Sequence, residues 1–164
     1  TALALFHLKH RVSIDLDFVP LAGDDSKMKE ELKGCLSKNG YRTSPGAYSN
    51  QFIIQFEDTS IKIEVFIPEY KIKKHEEHSL GTATLKVASL EDILNMKVLA
   101  YAERREARDL FDIVFALKKG NRGFSLVREL LKKHGLPKSL QDAENMALSS
   151  QDYEFFSKVM KDAS

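Results

Sequence analysis

The sequence predicts an α+β protein: a mixed β-sheet lobe over residues 1–88, then a helical C-terminal lobe over residues 89–164, packed together as one compact unit. Three observations predict it. Apolar and polar residues alternate in short runs at 11–18, 50–57, 60–67 and 82–88, the period of half-buried strands. After residue 88 the apolar spacing is helical throughout. With 43% hydrophobic residues in 164, the chain has enough apolar surface to form a core, which excludes a disordered chain.

The elements follow in order. TALALFHLKH carries Leu3, Leu5, Phe6 and Leu8 and reads as a short helix, and its abrupt opening suggests chain upstream of Thr1. A strand over about 11–19 stops at Pro20, and Asp24, Asp25 or Ser26 caps a helix that ends before Asn39-Gly40. NQFIIQFE and SIKIEVFI, separated by Asp58-Thr59, read as an antiparallel hairpin ended by Pro68. YKIKKHEEH is a charged loop or strand edge, and TATLKVA is one more short strand. Ser89 and Asp92 form a capping box for a helix over about 90–103, and ARDLFDIVFALKKG supplies another that ends at Gly120. Segments 124–134, 139–148 and 150–162 predict three shorter helices.

Twenty-five basic against twenty-four acidic residues leave a net charge of +1, so any attraction for nucleic acid must come from a local patch. Cys35, the single cysteine, falls among Met28, Leu32 and Leu36 at helical spacing and is expected to be a buried small hydrophobe. No apolar run approaches the roughly 20 residues that span a bilayer, and no signal peptide is evident, so the expectation is a cytoplasmic protein without a membrane partner.

Chemistry begins in RVSIDLDF. Ser13, Asp15 and Asp17 share one strand face while Val12, Ile14, Leu16 and Phe18 share the other. Backbones two residues apart lie about 7 Å from each other, and two carboxylates there repel by roughly 2 kcal/mol at an effective dielectric near 20. A hard divalent cation such as Mg²⁺ relieves that repulsion and takes its remaining ligands from water and substrate phosphates. For the isolated Asp-x-Asp, acids facing water are the simpler reading. Glu64, in the middle of SIKIEVFI, is a third strand acid whose strand is a candidate neighbour, and three carboxylates can hold two metal ions about 4 Å apart. A plain solvated face for Lys62 and Glu64 remains an equal alternative.

In SLEDILNMKVLAYAERREARDLFDIV, Lys97 projects from an apolar face formed by Leu90, Ile93, Leu94, Val98 and Tyr101. Either its stem packs and its ammonium snorkels, or the ammonium is aimed at phosphate oxygens or acids, the reading favoured here. Arg104, Arg105 and Arg108 extend the stripe, and Arg105 with Asp109 and Arg108 with Asp112 form possible i, i+4 pairs. His75 and His78 in KKHEEH have no further ligand set and read as a solvated loop, and His7 and His10 read as surface histidines.

TALALFHLKHRVSIDLDF resembles the first motif of AbiEii-type nucleotidyltransferases, where Gly-Gly-Thr/Ser-Ala-Leu leads through Arg-x-Ser to Asp-x-Asp; the two glycines would lie upstream of Thr1. VASLEDILNMKVLAYAERREARDLFDI is similar to the family's later segment, with its helical Lys, an Arg and an Arg-Asp-x-x-Asp ending. The resemblance implies a polymerase-beta-like nucleotidyltransferase fold and transfer of a nucleoside monophosphate from a nucleoside triphosphate to an acceptor hydroxyl. It implies Asp15, Asp17 and Glu64 as ligands of Mg²⁺ or Mn²⁺, with Glu64 where aspartate is commoner. It implies catalysis by these acids with Lys97 on nucleotide phosphate, and nucleotide binding by Thr1, Ser13, Arg108, Asp109 and Asp112. It further implies a toxin–antitoxin or phage-defence setting, with transfer RNA as one acceptor class and a cognate antitoxin as a partner. The alternative from another class is a catalytically inactive module of the same architecture that binds a protein partner.

Overall fold

The computed structural model describes residues 2–11, 13, 15–119 and 132. Two compact units form, Ser13–Glu69 with Thr1–Ala2, and Leu3–Val12 with Tyr70–Ser164. The division expected at residue 88 therefore falls differently, because the chain crosses from one unit to the other after Val12 and back after Glu69. The three helices expected after residue 120 lie outside the described residues, as does Thr1.

In the first unit, β1 (Asp15–Phe18), α1 (Asp25–Lys38), β2 (Arg42–Pro45), β3 (Gln51–Gln55) and β4 (Ser60–Val65) build a four-stranded sheet of order β1-β4-β3-β2. β1 runs parallel to β4, while β3 is antiparallel to both β4 and β2. Phe52, Ile54, Ile63 and Val65 form the core on one face, and Leu16, Phe18 and Ile61 join them. α1 covers that face with Met28, Leu32 and Leu36, spaced four apart on one helical stripe. Cys35 lies at the flank of the stripe and is exposed, contrary to expectation. The side chain of Asp24 caps α1 through the N–H groups of Ser26 and Lys27, and Asn39 closes it before Gly40, whose φ of 83° suits glycine. β1 is shorter than predicted, and β2 was not predicted, since RTSP shows neither alternation nor apolar residues.

In the second unit, β5 (His75–Leu80) and β6 (Ala83–Ala88) pair as a separate hairpin, followed by α2 (Leu90–Arg104) and α3 (Ala107–Lys119). HEEHSL is a strand, so of the two readings of YKIKKHEEH the strand edge holds and the solvated loop does not: its side chains carry almost no apolar signal, and the antiparallel ladder to β6 supplies the order. Residues Leu3–Leu8 form one π-helical stretch with Leu3, Ala4 and Leu8 buried, and the His7 Nε2–H donates to the carbonyl of Ala88 at 2.9 Å. Asp92 ties the hairpin's approach to α2. It accepts from the Tyr70 hydroxyl, the Lys73 and Lys74 N–H groups and the Ser89 hydroxyl, while its own N–H donates to Ser89 Oγ, the expected cap. Burial pushes the Asp92 carboxyl up, and the hydrogen bonds from Lys74, Ser89, Tyr70 and Lys73 outweigh it, holding the group below its ordinary range.

Candidate active site

In the first unit the polar face of the sheet gathers the acids. The register sets Asp17 opposite Glu64 and Asp15 opposite Lys62, and Glu64 is in turn opposite Gln51. Strand side chains alternate, so the face opposite the core carries these residues together. Lys62 Nζ lies 3.2 Å from Asp15 Oδ2. Glu64 accepts from Asn50 Nδ2 at 3.1 Å and Gln51 Nε2 at 2.9 Å. Asp17 is exposed and Asp15 half-buried. A divalent ion fits the chemistry of this face at Asp15 and Asp17, which present hard oxygen donors and draw a lysine ammonium as counter-charge. Glu64 is turned onto its two amides, and among the described residues no three Asp, Glu, His or Cys side chains gather as a ligand set.

In the second unit a buried ionic network surrounds two carboxylates of α3. Asp112, 0% exposed, receives Arg11 in a bidentate fork, Nε to Oδ1 at 2.7 Å and a terminal nitrogen to Oδ2 at 2.8 Å. His10 Nε2 meets the same Oδ1 at 2.7 Å. Lys97 Nζ bridges Asp112 Oδ2 at 3.0 Å and Asp109 Oδ1 at 2.7 Å, and Arg104 reaches Asp109 Oδ2 through two nitrogens, each at 2.7 Å. Burial raises the Asp112 carboxyl, but hydrogen bonds from Arg11 and His10 and the charges of Lys97 and Arg11 hold it far below the usual carboxylate range. The His10 ring stacks on Phe111 at 5.9 Å and tilts against Phe115 at 4.9 Å. Lys9, just before it, adopts a φ of 51°, uncommon for a residue with a Cβ.

Residues 1–163 match the family model described as Nucleotidyl transferase AbiEii toxin, Type IV TA system. The chain belongs to the AbiEii family. No match was found among curated proteins or solved structures. AbiEii membership accounts for the α+β, nucleotidyltransferase-like fold and sets the chain among nucleotidyltransferase toxins of type IV toxin–antitoxin systems. Among the described residues no helix is long and apolar enough to cross a membrane.

The AbiEii-like motifs separate into the two clusters. Asp15, Asp17 and Glu64 share the sheet face of the first unit; Lys97, Asp109 and Asp112 meet in the second. Ser13 is half-buried ahead of β1. Arg108 pairs with Glu106 at 2.9 Å rather than with Asp112, and Asp109 takes Arg104 rather than Arg105. The left-handed φ of 56° at Arg105 caps α2 and resets the helical phase, which separates Arg105 from Asp109, while Arg108 and Asp112 share α3 but the buried oxygens of Asp112 are taken by Arg11, His10 and Lys97. His10 and Arg11 were missed as site residues, and His10 is buried, not a surface histidine. A signal for them existed, because Asp109 and Asp112 interrupt the apolar stripe of Leu110, Ile113 and Val114, and carboxylates on a buried face require cations.

Proposed function

We propose that this chain transfers a nucleoside monophosphate from a nucleoside triphosphate to an acceptor hydroxyl, with RNA as the acceptor class. The observation that carries the reading is the parallel β1–β4 register, which sets Asp17 beside Glu64 and Asp15 beside Lys62 on one sheet face of a nucleotidyltransferase-family chain. Asp15 and Asp17 would hold Mg²⁺ or Mn²⁺, which when bound supplies Lewis-acid polarisation of the α-phosphate. Glu64, fixed by Asn50 and Gln51, contributes negative charge beside Asp17 and supports that pair. Lys97 binds nucleotide phosphate. Its ammonium has three N–H donors, of which Asp109 and Asp112 engage two, leaving the third direction for a phosphate oxygen. Asp109 and Asp112, whose oxygens are occupied by protein cations, position Lys97 and Arg11 instead of touching the nucleotide. A cognate antitoxin is the protein partner this family setting supports.

The test incubates the protein with Mg²⁺, total RNA and each labelled nucleoside triphosphate. The expected result is label on RNA that Asp17→Asn abolishes, together with a nucleotide-dependent rise in melting temperature that Asp15→Asn with Asp17→Asn removes. Neither labelling nor a melting shift with any nucleotide would defeat the reading in favour of a non-catalytic binding module, and label on the protein itself would replace RNA as acceptor.

A further inference from the structure

We infer that the β2 edge of the first unit, with the adjoining face of α1, binds a single-stranded segment of RNA; its assignment as the acceptor's binding surface rests on the transferase reading above. The near-neutral whole chain requires any such attraction to be local, and here it is local. A groove of about 560 Å³ is lined by Lys29 and Lys33 of α1, Ser44 of β2, Tyr48 and Ser49 of the following loop, and Gln51. Among the described residues that line it there is no carboxylate. Among the described residues the acid nearest both ammoniums is Glu30, 3.2 Å from Lys33 and 3.8 Å from Lys29, so two cations share one exposed carboxylate. Lys29 also donates to the Ser49 carbonyl, which holds it over the groove. Glu30 is exposed, so its hold on the two half-buried lysines is weak, and the Lys33 ammonium in particular stays available to phosphate.

Aromatic surface accompanies the charge. Tyr48 is 70% exposed at the groove, and beyond the other end of β2 the Tyr41 ring, 44% exposed, meets Phe56 edge-on at 5.8 Å. Arg42, also exposed, stands between them on the edge strand. Cations on a groove with exposed rings at intervals are what a single strand needs, phosphates on the lysines and arginine and bases stacked on tyrosines. Gly46 keeps the loop closed against β3, since a Cβ there would stand 2.5 Å from the Gln51 Cβ. Gln51 also joins the groove to the acids: it lines the one and donates to Glu64, which pairs with Asp17. Two strand spacings, about 10 Å, separate the backbones of Gln51 and Asp17.

The experiment measures binding of a labelled oligouridylate by fluorescence anisotropy over a salt series, on the whole chain. Lys29→Gln with Lys33→Gln is expected to weaken binding and to lower the salt slope by about 1.4, at roughly 0.7 per phosphate contact on a single strand. Tyr48→Ala, at a residue 70% exposed, is expected to weaken it about fivefold or more through lost stacking. Unchanged affinity and slope in both variants would overturn this inference while leaving Asp17-dependent labelling intact. Absence of labelling with groove-dependent binding preserved would instead overturn the transferase reading and leave the RNA surface standing.

Discussion

Removing the carboxylate of Asp112 leaves Arg11, His10 and Lys97 without its oxygens in a site where Asp112 itself is wholly buried and Arg11 only 7% exposed. Breaking one partner of a buried ion pair costs on the order of 3–5 kcal/mol, because the remaining charges are already desolvated. Asp112→Ala is therefore expected to lower the melting temperature sharply, and a denaturant titration showing less than about 1 kcal/mol of loss would contradict the network's importance. A pH dependence follows with a definite sign. The folded carboxyl binds its proton far more weakly than an unfolded aspartate, whose value is about 3.9. The stability it contributes is thus complete above roughly pH 5 and is lost progressively as the pH falls below about 4. Melting temperatures between pH 7 and pH 3 should fall less steeply in Asp112→Asn than in the wild type. Equal slopes would assign the acid sensitivity to other groups, such as Asp92.

At the level of elements, Gly46 offers the sharpest test of how the β2–β3 turn supports the acids. Gly46→Ala forces a shift against Gln51, whose amide steadies Glu64, and small-to-large changes of this kind cost about 1–3 kcal/mol. Loss of stability with a weaker nucleotide-dependent melting shift is the expected outcome; an unperturbed protein would show that the loop gives way freely. The elements legible in the sequence are those with local signals. α1 announces both its ends through Asp24 and Asn39-Gly40, β3 and β4 through alternation and a short turn, and α2 through Ser89. The parallel β1–β4 pairing was not legible, because it joins strands separated by α1, β2 and β3, and no short-range pattern encodes such a register. So Glu64 beside Asp17 stood in the sequence only as one arrangement among several. β2 escaped, and β5 was legible only as a charged loop or strand edge, for a different reason: RTSP and HEEHSL owe their strand character to neighbours rather than to their own residues. The network around Asp109 and Asp112 was half visible, since the unusual Lys97 was evident while His10 and Arg11, which bond Asp112, lie about a hundred positions from it.

At the scale of the molecule, the second unit draws Leu3–Val12 from one end of the described chain and closes around them with α2 and α3. A chain shortened to start at Ser13 removes the buried Leu3 and Leu8 together with His10 and Arg11, while deleting almost nothing of the first unit. Hydrogen exchange on that chain should show amide protection lost across α2 and α3 and retained in β3 and β4. Protection lost evenly in both units would mean that they fold as one. The same interleaving sets an order of assembly during synthesis. Arg11 leaves the ribosome 101 residues before Asp112, a delay of about 5–20 s at ordinary elongation rates. For about the second half of that interval, once β4 has emerged, the strands bearing Asp15, Asp17 and Glu64 are available to pair, while the basic segment ahead of them still lacks the Asp112 carboxylate. For a toxin-family chain, the nascent polypeptide thus carries its acidic sheet before the lysine that completes the proposed chemistry has been locked in place, a built-in lag between translation and competence.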